Sequence, residues 1–130
     1  MIKVNTENFN DVINSSKYVV IDVWETWCGP CKTYGPVFEK VAEENTNSDV
    51  VYAKLQLSDA QDIASKIVRS IPTTLFYKNG ELISKKTGIL TPEAIQNELN
   101  SAEAGDEIIR ENSTYTDPNT SFTDGLDTDF

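Results

Sequence analysis

Two thiols dominate the chemistry open to this sequence. Cys28 and Cys31 are its only cysteines, held two residues apart by Gly29-Pro30 in the run Trp27-Cys28-Gly29-Pro30-Cys31-Lys32. The pair falls where an apolar run gives way to a helical pattern, a spacing that lets the sulfurs form a disulfide with little rearrangement. Cys28 precedes or caps the helix, so its sulfur faces free backbone N–H groups and the positive end of the helix dipole. Both favour the thiolate, the species that attacks a disulfide. Cys31 lies one turn inside, placed to attack a mixed disulfide formed at Cys28. Pro30 restricts the loop and keeps the sulfurs close.

Two plainer roles compete for such a pair, half of a zinc site and a structural disulfide. The chain contains no histidine, so with two cysteines it cannot supply the four Cys or His ligands of a structural zinc site, and no metal site is expected. A cytosolic setting disfavours a structural disulfide. The missing histidine also excludes histidine acid–base chemistry and Cys–His nucleophilic catalysis. Thiols, carboxylates, lysines or a borrowed cofactor remain.

The elements that must position the pair follow from apolar spacing. Ile2–Asn5 predicts a short strand, and Glu7–Ser15 a helix capped by Thr6 with Phe9, Val12 and Ile13 inward. Lys17–Trp24 is an almost continuous β-branched and aromatic run, predicting a central strand buried on both faces. Asp22 interrupts it, an unusual place for a carboxylate. A helix follows over Pro30–Asn45, with Val37, Phe38, Val41 and Ala42 as its core stripe and Pro36 as a kink. Val50–Leu57 predicts a strand, and Asp59–Val68 a helix capped by Ser58 or Asp59. Thr73–Lys78 and Glu81–Thr87 flank Asn79-Gly80, a two-residue hairpin signal. Thr91-Pro92 opens a last helix, fastened by Ile95 and Leu99. Helix-linked strands imply parallel pairing and the hairpin an antiparallel edge, hence an α/β fold with a central mixed sheet and helices on both faces.

At 130 residues the chain suits one domain, and no apolar run approaches the ~20 residues of a membrane span. Its beginning lacks a secretory signal pattern, so a cytoplasmic protein is expected. The formal net charge of −10 disfavours direct nucleic-acid binding. Residues 1–100 carry 10 basic and 13 acidic side chains, whereas 101–130 set Arg110 against eight acids. The acidity therefore belongs mainly to the tail.

Several separate stretches resemble the thioredoxin family over about residues 1–100. They are Val20-Ile21-Asp22-Val23-Trp24, the Trp27–Lys32 signature, Pro36, Lys54 in Ala53-Lys54-Leu55, Arg69-Ser70-Ile71-Pro72-Thr73, Lys78-Asn79-Gly80-Glu81 and Gly88. Composition and charge make 103–130 an acidic, flexible tail, and the resemblance implies a thioredoxin fold over 1–102. It implies a protein-disulfide reductase in which Cys28 attacks and Cys31 resolves, with the Cys28–Cys31 disulfide as redox centre and no bound cofactor. Asp22 would lie beneath Cys31 and assist its deprotonation, with Lys54 as charge partner. Pro72 would follow a cis peptide bond that presents the Ile71 backbone to an extended client. Trp27, Gly29, Pro30, Ile71, Pro72, Gly88 and Ile89 would form the docking surface, and Trp24 would support the site. The implied partners are thioredoxin reductase and disulfide-containing client proteins, served by a monomer in electron transport and redox homeostasis.

The sequence also departs from the family. Ser58 stands where aspartate is frequent and Ile67 where glycine is. Glu25 replaces a common alanine, an exposed acid expected to disfavour a nearby thiolate. Gly29-Pro30 speaks against a glutaredoxin, and the missing histidine between the cysteines against an isomerase. A different class of function stays open: a thioredoxin-fold binding or processivity subunit, docking a partner through the Trp27–Pro72 surface or the tail. The composition of 112–130 buries too little apolar surface to offset chain entropy. Its end, Asp124-Gly125-Leu126-Asp127-Thr128-Asp129-Phe130, resembles the C-terminal tails of single-stranded-DNA-binding proteins, which implies a basic partner.

Overall fold

The structure, a computed structural model, describes residues 1–111. Its elements are β1 (Ile2–Val4), α1 (Phe9–Ile13), β2 (Tyr18–Trp24), α2 (Gly29–Glu43), β3 (Val50–Gln56), a 3-10 turn (Leu57–Asp59), α3 (Gln61–Ile67), β4 (Thr73–Lys78), β5 (Glu81–Thr87) and α4 (Pro92–Glu111). The five strands form one sheet in the order β1-β3-β2-β4-β5. β3 runs parallel to β1 and β2, while β4 runs antiparallel to β2 and β5. This is the mixed sheet expected from the helix-linked strands and the hairpin.

β2 sits at the centre because its side chains can be buried on both sides. Strand alternation sends Val19, Ile21 and Val23 to one face, where they pack with Phe9, Val12 and Ile13 of α1 and Ala64 of α3. Val20 and Asp22 share the other face with their cross-strand neighbours Tyr52, Thr74 and Phe76. There α2 lies over the sheet: the Tyr34 and Thr74 hydroxyls are 2.8 Å apart, and the Phe38 and Tyr52 rings meet edge to face at 5.6 Å. Each large apolar side chain fully buried this way stabilises the fold by roughly 1.5–3 kcal/mol. Ile95 and Leu99 of α4 are also buried.

The buried face of α2 is Cys31, Tyr34, Gly35 and Phe38. Val37, Val41 and Ala42 of the expected stripe are only partly covered. The helix is turned to bring Cys31 against the sheet.

Two expected caps are absent. The Thr6 hydroxyl donates to the Asp62 carboxylate at 3.0 Å, while Asn5 and Asn8 exchange hydrogen bonds and delay α1 to Phe9. Ser58 is drawn to Glu25 and α3 starts after the 3-10 turn, with Ala60 in the cap position. The Thr91 cap is present, its hydroxyl accepting the Ala94 N–H at 3.0 Å. Asn79 and Gly80 have φ of 52° and 82°, as a primed hairpin turn requires. A side chain at Gly80 would also collide with the Asn14 amide.

Met1–Leu99 form one compact unit, and a second begins at Asn100. The boundary drawn at 102/103 falls within α4, whose backbone stays helical to Glu111. The tail beyond, 112–130, and its Asp124–Phe130 end lie outside the described residues.

Candidate functional site

β2 delivers the chain to a tight turn in which the Glu25 carbonyl accepts the Cys28 N–H at 3.3 Å. Cys28 then takes an extended conformation (φ −98°, ψ 112°) and caps α2, with Pro30 in the first turn. Its sulfur accepts the Cys31 N–H at 3.2 Å. The same N–H and the helix dipole would stabilise a thiolate once the pair is reduced. Cys28 and Cys31 are joined in a disulfide, with Cα atoms 5.3 Å apart, within the usual span. Both are buried, whereas Trp27 is 71% exposed and Gly29 and Pro30 face solvent.

The remaining expected docking residues lie just before β4 and just after β5. The Ile71–Pro72 bond is cis, and the Pro72 carbonyl accepts the Gly88 N–H at 2.8 Å. Gly88 has φ 94° with open space where a Cβ would stand, so backbone conformation explains the glycine. Ile89 beside it is half exposed, and Ile71 is partly buried against the core. Val23 pairs with Thr73, so the end of β2 that leads to Cys28 adjoins the start of β4 after Pro72.

Asp22 lies on the α2 face of the sheet, directly beside Lys54 in register. It is 1% exposed, and neither carboxylate oxygen has a hydrogen-bond partner. Burial raises its pKa from 3.8 to about 6; Lys54 opposes that rise and Glu39 adds to it. The Lys54 ammonium stands 4.0 Å from Asp22 but 2.9 Å from Glu39, and 4.9 Å from the centroid of the Trp24 ring. A Cβ at Gly35 would stand 3.5 Å from that ammonium. Glu39 was not foreseen as a partner. The available signal was Gly35 and Glu39 at i and i+4, a small residue and an acid on one helix edge. Tyr34 was missed as well: burial raises its phenol pKa, and the Asp22 charge raises it further.

Glu25 corrects an expectation. It is no exposed acid but 4% exposed, its carboxylate accepting the N–H groups of Thr26 at 2.8 Å and Ser58 at 3.0 Å and the Gln56 amide at 2.8 Å. These hydrogen bonds, Thr26 first, hold its pKa at about 2. Its charge is absorbed locally and ties the turn before Cys28 to the end of β3. Among the described residues, no three His, Cys, Asp or Glu side chains gather as metal ligands would, and no helix is long and apolar enough to cross a membrane.

The thioredoxin family model matches residues 1–101. A thioredoxin from Coprinus comatus is 39% identical over 93 residues, 71% of this chain and 87% of the relative. Thioredoxin-2 from Saccharomyces cerevisiae is 38% identical over 96 residues, 73% of this chain and 89% of the relative. The crystal structure of a Malassezia sympodialis thioredoxin superposes with a TM-score of 0.68 at 36% identity, covering 78% of this chain and 90% of that one.

Proposed function

The chain belongs to the thioredoxin family, and we propose from that premise how its residues divide the work of a thiol–disulfide oxidoreductase acting on protein disulfides. The Cys28 thiolate attacks one sulfur of a client disulfide, forming a Cys28–client bond and releasing the other client sulfur as a thiolate that takes a proton from water. The Cys31 thiol gives its proton to Asp22, and its sulfur attacks Cys28. The Cys28–Cys31 bond forms, and the second client sulfur leaves and is protonated. The client gains two electrons and two protons, and the dithiol becomes the disulfide. Lys54 adjusts the proton affinity of Asp22. A separate enzyme, thioredoxin reductase, returns the pair to the dithiol state, so the exchange itself uses no bound cofactor.

Clients dock on Trp27, Gly29, Pro30, Ile71, Pro72, Gly88 and Ile89, which offer apolar surface and backbone to an extended peptide. The working unit is a monomer, since both sulfurs, Asp22 and Lys54 come from one chain. It operates in the cytoplasm, where reducing conditions keep the pair ready for the next client.

The observation that carries this reading is Cys28 at the cap of α2, disulfide-bonded to Cys31 and accepting its N–H. The test is insulin-disulfide reduction with dithiothreitol as electron source. Acceleration by the chain, lost in Cys28→Ser, is the expected result. Equal rates with the intact chain, the variant and dithiothreitol alone would leave the binding-subunit reading.

A further inference from the structure

We propose that Glu39 is a positioning residue for disulfide exchange: its carboxylate holds the Lys54 ammonium off Asp22, and so sets how readily Asp22 accepts and returns a proton. Lys54 is the cation in register with Asp22, yet it stands 2.9 Å from Glu39 and 4.0 Å from Asp22. Both Asp22 oxygens are buried without a hydrogen-bond donor. Burial dominates its proton affinity, and the position of the Lys54 ammonium adjusts it. Lys54 borders a cavity of about 460 Å³ lined in part by Trp24, Glu39 and Gln56.

The other groups facing Asp22 are accounted for. From α2 comes Tyr34, whose phenol senses the Asp22 charge and is hydrogen-bonded to Thr74; Cys31 is buried one turn earlier on the same helix. From β4 comes Thr74, which does not titrate. Lys86 of β5 shares the face in register with Thr74 but lies 3.5 Å from Glu98.

Glu39's role presupposes Asp22 as the proton acceptor for Cys31, so two readouts are needed. The first is the Asp22 carboxyl titration, followed by carbon NMR of the reduced full chain in the parent, Glu39→Gln, Lys54→Met and the double variant. An opposite charge within ~4–6 Å lowers a carboxyl pKa by about 1–3 units. Glu39→Gln is therefore expected to move the Asp22 midpoint down by at least about half a unit, and by less than half that shift when Lys54 is methionine. Equal shifts in both backgrounds would mean that Glu39 acts on Asp22 directly and would overturn the tether, as would no shift or an upward one. Glu39 is half exposed, its side chain at 52%, so folding is not at stake. The second readout is the pH profile of mixed-disulfide resolution, whose acid limb should follow the Asp22 midpoint. A moved midpoint with an unmoved limb would uphold the tether and refute the proton relay.

Discussion

Replacing Cys31 by serine is expected to turn the protein into a trap. Cys28 keeps its place at the cap of α2 and still attacks a client disulfide, but no second sulfur remains to release the product. The lost step is intramolecular. Oriented intramolecular attack reaches effective molarities of roughly 10⁵–10⁸ M, which free thiol in solution cannot match. Catalytic turnover should fall by about 10³-fold or more. A one-to-one covalent adduct with the client should accumulate on a non-reducing gel and dissolve with dithiothreitol. Normal turnover without an adduct would remove Cys31 from the reaction. Cys31 is buried and its own N–H is directed at the Cys28 sulfur, so the serine variant retains the local hydrogen-bond donor and tests the sulfur alone.

The second large effect concerns stability against pH and arises at Asp22. The folded pKa of about 6 lies above the ordinary aspartate value of 3.8, so the fold holds this proton more tightly than the unfolded chain does. Stability from the protonated carboxyl is complete below about pH 3.8 and is lost as pH rises through about 6. Above that, the fold carries a buried anion whose oxygens have no donor. A shift of about two units corresponds to about 3 kcal/mol. The stability of Asp22→Ala relative to the parent should therefore rise by about 3 kcal/mol between pH 3.5 and 8. Denaturant unfolding of the oxidised proteins measures it, keeping thiol titration out of the comparison. The cavity left by alanine is common to both pH values and cancels. A difference that stays flat with pH would mean that Asp22 is not the buried, raised carboxyl described above.

Legibility followed the range of the interactions. The cysteine pair, the buried run of β2, the Asn79-Gly80 turn and the Thr91-Pro92 helix start were readable because each is set by neighbours within a few residues. β4 and β5 have the expected bounds; the hairpin turn sets the pairs Lys78–Glu81 and Tyr77–Leu82, and an irregularity shifts the register from Phe76 on. Thr6 and Ser58 failed as caps because their competing partners, Asp62 and Glu25, lie far away in the chain. Glu25 read as an exposed acid for the same reason: its partners Gln56 and Ser58, at and just beyond the C-terminal end of β3, lie more than thirty residues away in the chain. Asp22 and Lys54 were paired through family resemblance, but the hold of Glu39 on Lys54 depends on how α2 lies across the sheet. The cis bond at Pro72 likewise came from resemblance, because local chemistry alone favours trans.

The most direct test of the central claim is which sulfur reacts first. The reduced protein is exposed briefly to one equivalent of iodoacetamide near pH 7 and mapped by peptide mass spectrometry. A thiolate stabilised at Cys28 by the cap of α2 predicts carbamidomethylation at Cys28 with Cys31 left free. Equal labelling of both, or preferential labelling of Cys31, would contradict the account of Cys28 as the attacking nucleophile.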